Sequence, residues 1–229
     1  MALFSSICLI AFVNLGFWQL ERADEKTELL KVHAQQRNQP PLSATELLRR
    51  AAAVDGLPVE LVGRFSGIPA LLRDNVVLEG RVGFEVLEIF NDSATNQMFL
   101  INRGFVPMAA NRQIKPTIPP VSEGDMSLFG HVYVSTAVDE RFTPGELMDD
   151  LRIVQSTEPR ILENLVAVAL YPHLIRLEAD AAFALPRRWI VTTVSSDKHM
   201  GYAIQWFLMA LAVLIAFGYF TFKSPADEA

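Results

Sequence analysis

Cysteine is almost missing from this chain: Cys8 stands alone, inside the first apolar run. That excludes an intrachain disulfide and any metal cage built on thiolates. Histidine is nearly as scarce, since His33, His131, His173 and His199 lie far apart, with no HExxH pair or other recognisable metal spacing. No serine occupies a G-x-S-x-G turn, and no glycine-rich stretch offers a phosphate cradle. Asp149-Asp150 are adjacent acids of the kind that solvate or cap a turn. The central sequence therefore carries no enzyme signature. A positive surplus is missing too: 20 basic residues face 26 acidic ones, and without Lys223, Asp227 and Glu228 the segment 21–198 keeps a net charge of −5. Phosphate backbones need a basic face, so nucleic acid is excluded as a partner.

What the chain does have is one long apolar run at each end. Ala2–Leu20 and Gly201–Phe222 each carry ten Leu, Ile, Val or Phe residues. At helical rise they reach roughly 28 and 33 Å, matching a hydrocarbon core of about 30 Å. Their insertion is worth roughly 3 to 6 kcal/mol each, partly cancelled by Ser5, Ser6, Asn14, Gln19 and Gln205. A cleaved signal peptide is the competing reading of the first run. It would want a basic start and a small-residue cleavage site, whereas no Lys or Arg precedes Arg22 and the run ends in Gly-Phe-Trp-Gln-Leu. Retention as a transmembrane helix is expected. Lys223 beside the second run favours a cytoplasmic tail at 223–229 and places residues 21–198 on the extracytoplasmic side.

Between the runs, about 180 residues without repeats suggest one soluble domain. Glu21 to Arg37 is rich in helix formers and charge, so the first helix continues out of the bilayer as a stalk until Pro40-Pro41 stops it. Thr45–Ala53 and Glu158–Leu170 are further helical candidates. Strand patterns fall at Pro58–Ser66, Val82–Phe90, Gln97–Ile101, Ser127–Val134, Leu151–Gln155 and Trp189–Val194. Asn102-Arg103-Gly104 and Glu123-Gly124-Asp125 read as turns, and Asp55-Gly56 as a break. Strands joined mostly by short connections predict an α+β fold: a mainly antiparallel sheet or partial barrel with a few helices, flanked by two transmembrane helices.

The membrane junctions hold the candidate site. Trp18, Arg22 and Lys26 follow one another at steps of four, with Asn14 one turn deeper, and His199, Tyr202 and Trp206 share a face of the second helix. Aromatic belts with snorkelling cations account for such residues as anchors. A neutral imidazole at the water boundary is also a general metal ligand. If the two helices pair, both stripes face one interfacial volume.

The segments that carry these residues, LGFWQLERADEK and KHMGYAIQWF, together with the central NRGFVP, resemble the surfeit locus protein 1 family of cytochrome oxidase assembly factors. The likeness covers nearly the whole chain. It implies a non-enzymatic role in the biogenesis of haem-copper oxidases, with the oxidase catalytic subunit and the haem a synthesis machinery as partners. It further implies haem a, held stably or transiently, with His199 as the axial ligand to its iron. Tyr202, Trp206 and Trp18 would line the pocket, and Arg22 would stand near the propionates. The sequence departs from the family at the start, where almost nothing basic precedes the first run, and in RVGFEVLEIF, where Ile89-Phe90 replace a proline that many relatives carry.

Lack of an Arg- and Ser-rich leader favours a bacterial inner membrane. A cofactor-free scaffold, docking on oxidase helices through Gly16, Asn14 and Gln205, is the alternative function. A sensor receptor is disfavoured, because only the short tail follows the second run.

Overall fold

Backbone polar groups in a long apolar run have no water to bond and must satisfy one another, so both end runs fold as helices. The computed structural model describes residues 2–50, 53–109, 114–135, 146–148, 151–189 and 195–222. In chain order its elements are α1 (Ala2–Arg37), β1 (Leu42–Ser43), α2 (Ala44–Leu48), β2 (Pro58–Phe65), β3 (Leu71–Leu78), β4 (Arg81–Asp92) and β5 (Met98–Pro107). There follow β6 (Met126–Tyr133), β7 (Glu146–Met148), β8 (Leu151–Val154), α3 (Pro159–Val166), β9 (Leu174–Leu177) and α4 (Ser196–Phe222). They form two units, residues 1–34 with 190–229, and residues 35–189.

The first unit is the helix pair. Both α1 and α4 are long and apolar enough to cross a membrane, with mean hydropathies of 1.7 and 2.0 over their most apolar windows. They mark the chain as a membrane protein. The helix of α1 continues through the charged stretch to Arg37, as its composition predicts.

The second unit is built on a ring of strands. Antiparallel pairs β2–β6, β6–β9, β5–β4 and β4–β2, with the parallel pair β9–β5, close a five-stranded barrel. Closure is tight at Gly63, where a Cβ would come within 2.0 Å of the Asn91 carbonyl oxygen on the neighbouring strand. Alternating side chains of the ring meet inside it: Val59 and Leu61 of β2, Phe90, Phe99, Ile101, Leu128 and Ile175 are all buried. Beyond β4, the sheet extends through β3, β8 and β7 over two further apolar clusters. The α2 helix starts on a capping box, with Ser43 and Glu46 bonding each other's backbone, and it buries Leu47 against the barrel interior.

Two flanking apolar helices around a sheet-rich domain make the fold α+β, as the sequence pattern predicts. One turn assignment is corrected. Asn102-Arg103-Gly104 is the middle of β5, where Val86 pairs with Gly104 and Leu87 with Asn102, leaving Arg103 as the extra residue of a bulge. Gly104 adopts φ +120°, a conformation that glycine alone enters freely, and this is the signal that reads as a turn in the sequence. The helical candidates are also trimmed, to α2 and to α3, which ends on Ala167 in the left-handed conformation. The pattern assigns no strand to β3, because Asp74-Asn75 interrupts it; Asn75 has φ +61° and the register slips there. Strand β9, the segment LIRL, also goes unassigned. The expected strand at Trp189–Val194 lies outside the described residues beyond Trp189, as do Asp149-Asp150 and the tail at 223–229.

Candidate functional site

Phe12, Gly16, Gln19 and Ala23 on α1, and His199, Ala203, Trp206 and Ala210 on α4, recur at alternate steps of four and three. That repeat keeps one stripe of each helix facing its partner. Gly16, Ala23, Ala203 and Ala210 are buried. The helices run antiparallel, since the Phe12 ring meets Trp206 at 5.6 Å while Gln19, seven residues on, meets His199. Between those contacts Phe207 fills the space above Gly16 and sets its ring edge-on to Phe17, with centroids 5.4 Å apart. Glycine lets the helices approach; a Cβ at position 16 would stand 2.6 Å from the Phe207 ring.

His199 lies in the first turn of α4 and is half-buried. Its Nδ1 is 2.7 Å from Oε1 of Gln19. With that carbonyl as acceptor, the proton of a neutral ring resides on Nδ1, and Nε2 keeps its lone pair. A metal-binding histidine is held in the same way, by a bond from its other nitrogen that fixes tautomer and ring plane. Gln19 is the residue that sequence reasoning misses. An amide in an apolar run reads only as an insertion cost, and nothing local links it to a ring 180 residues away.

The other site candidates divide. Trp206 joins His199 on the facing stripe. Tyr202, three residues past His199, lies on its flank with half its surface exposed. Trp18 is turned by about 200° from Gly16 on an ideal helix and so faces away from α4; it is 46 % exposed. Arg22 stands over the Trp18 ring, 5.7 Å from its centroid, and pairs with Glu25 of its own helix. The structure thus sets His199 against Gln19 and, two helical turns deeper on the same stripe, Trp206 against Phe12, and it places Trp18 and Arg22 on a separate outer face. Asn14 also points outward, where its amide bonds the Ile10 carbonyl oxygen at 2.7 Å.

The remaining histidines have other surroundings. His131 is buried in the barrel domain, with Nδ1 3.1 Å from Glu178, whose carboxylate also takes two hydrogen bonds from Arg37 at 2.7 and 2.8 Å. Burial, with repulsion from Arg37 and Arg176, holds His131 at about 4 against the pull of Glu178. His173 packs edge-on against Tyr171. Among the described residues, no three His, Cys, Asp or Glu side chains gather where they could hold a metal ion.

The central NRGFVP segment is architectural. The guanidinium of Arg103 is buried, paired with Glu88 at 2.7 Å and bonded to the carbonyl oxygens of Phe183 and Pro119. Asn102 donates to Glu85 at 2.8 Å and accepts from the Gly104 N–H. Across the bulge, Leu185 N–H bonds the Arg103 carbonyl and Phe105 N–H bonds that of Pro186, clamping the 183–186 segment.

Two apolar end helices, a paired histidine at their inner junction and a motif that stitches the barrel now stand in one chain. A search of curated proteins finds no match. The sequence profile of the SURF1 family matches residues 6–211, from the first turns of α1 deep into α4. By that match the chain belongs to the SURF1 family, known as oxidase assembly factors.

Proposed function

We propose that this protein holds haem a at the inner junction of its two helices during assembly of a haem-copper oxidase, with His199 as the axial ligand. The observation that carries the reading is the Gln19–His199 contact, which orients the ring and leaves Nε2 free to bind iron. When bound, haem a would supply the redox-active iron centre that the oxidase subunit needs. The chain's own residues have simpler tasks. Gln19 fixes the imidazole, Trp206 and Phe12 give an apolar wall on the facing stripe, and Tyr202 offers a ring on the flank. Trp18 and Arg22, stacked on the outer face, suit interfacial anchoring, and Arg22 would have to leave Glu25 to serve a propionate. The barrel domain is assigned to the extracytoplasmic side of a bacterial inner membrane, where it meets the oxidase catalytic subunit and the haem a synthesis machinery.

The test is spectroscopic. Purified from cells that make haem a, wild type should carry a haem absorption spectrum that His199→Ala lacks; equal haem in both proteins removes the ligand assignment.

The cofactor-free scaffold is less well supported. Of its three docking residues, Gly16 is filled by Phe207 and Asn14 bonds its own helix, leaving Gln205 exposed. Trp206 also packs within the pair, so exposed Tyr202 is the better probe. A scaffold predicts that Tyr202→Ala loses the oxidase subunit on co-purification whether or not haem is made.

A further inference from the structure

One end of the barrel is bordered by a cleft. Strands β2, β5 and β9 begin there and β6 ends there, and the cleft has a volume of about 600 Å³. Its volume suits a small organic ligand. Leu48, Val54, Val134, Tyr171 and Pro172 give it apolar walls, and Gln97 adds a carboxamide. Two arginines line it from separate segments: Arg50, just after α2, and Arg160, in the first turn of α3. Both are exposed, and among the described residues neither enters an ion pair.

The charges define the ligand. Among the described residues Asp55 is the one carboxylate in the lining, and its Oδ1 accepts the Val134 N–H at 2.8 Å. Setting it against the two arginines leaves an excess of one positive charge. His173 adds none near neutral pH, because burial and the nearby Arg160 hold its pKa below the usual value despite the pull of Glu158 and Asp55. The Tyr171 phenol, pushed up to about 12 by burial, stays an O–H donor. Guanidinium forks match carboxylate geometry, and apolar walls reward an apolar body.

We infer that this cleft is a binding site for a monoanionic amphipath, a single carboxylate on a compact apolar body, gripped by Arg50 and Arg160 over the Val54, Val134 and Tyr171 walls. No residue of the helix junction takes part, so the site stands or falls apart from the haem reading.

The probe is 4-phenylbutyrate, offered to the full-length protein in nanodiscs of zwitterionic lipid and read by saturation-transfer NMR against empty discs. Arg50→Gln/Arg160→Gln should weaken binding at least tenfold while the melting midpoint stays that of wild type. 4-Phenylbutylamine, of the same shape and opposite charge, should give no signal. Undiminished binding by the double variant, or equal binding of the amine, overturns the site. Inorganic phosphate competing as well as 4-phenylbutyrate overturns the ligand class, since the apolar walls would then contribute nothing.

Discussion

Oε1 of Gln19 and Nδ1 of His199 lie 2.7 Å apart, so a residue from each end of the chain shares one hydrogen bond at the junction of the helices. Under the haem reading Gln19 is a positioning residue. Loss of such an outer partner typically lowers metal affinity 10- to 100-fold. Gln19→Leu should therefore retain haem far more weakly than wild type and shift the absorption bands of what remains. Gln19→Asn, which keeps the amide on a shorter arm, should fall between the two. Titration of haem into each purified variant measures the series, and equal affinities would leave the contact without a role in ligation.

Gly16 sets how closely the helices approach. An added Cβ would lie 2.6 Å from the Phe207 ring, which would have to swing away and abandon its edge-on contact with Phe17. Overpacking of this kind costs about 1–3 kcal/mol. Gly16→Val should reduce cysteine cross-linking between α1 and α4, and Phe207→Ala should restore part of it in the double variant. A cycle with no coupling would show that these two residues do not set the approach.

Sequence patterning reaches the elements whose chemistry is local. Strand β2 buries every other residue from Val59 to Gly63, β4 and β6 are rich in branched and aromatic side chains, and the two spans are plain from length alone. It fails where a distant contact overrules a local preference. Asn102-Arg103-Gly104 has turn composition, yet the carboxylates of Glu85 and Glu88 and the 183–186 segment draw it into a strand. The same limit governs the site: helical spacing puts His199 and Trp206 on one stripe, while the position of Trp18 relative to α4 depends on which stripe of α1 is chosen for packing. Gly16 makes that choice, through its fit to Phe207.

The bulge itself can be tested at Gly104. Alanine there would keep φ +120°, where a side chain is strained, and would set its Cβ 2.6 Å from the Leu185 carbonyl oxygen. Backbone strain alone is of order 1–3 kcal/mol, and a clash with backbone adds to it. Arg103→Met removes the buried cation and leaves Glu88 and two carbonyl oxygens without their partner, a loss of about 3–5 kcal/mol by analogy with broken buried pairs. Both variants should lower the melting midpoint of the purified protein by many degrees, with Arg103→Lys intermediate. A midpoint unchanged in Gly104→Ala would mean that β5 tolerates a regular strand at this point.

His131 makes the barrel domain acid-sensitive. In the unfolded chain its imidazole takes up a proton near pH 6.5, whereas in the folded domain burial, Arg37 and Arg176 delay this to about 4 despite Glu178. Between those values the unfolded state binds the extra proton, so stability is full above about pH 6.5 and declines as pH falls toward 4. One proton limits the slope to about 1.4 kcal/mol per pH unit. His131→Gln keeps a side-chain amide beside Glu178 and abolishes this titration. Because other carboxylates also titrate in acid, the informative quantity is the difference between proteins. Melting midpoints of wild type and His131→Gln, followed by tryptophan fluorescence from pH 7 to 4.5, should converge as the pH drops, the variant losing less. Parallel curves would mean that His131 is protonated in the fold at the same pH as in the unfolded chain.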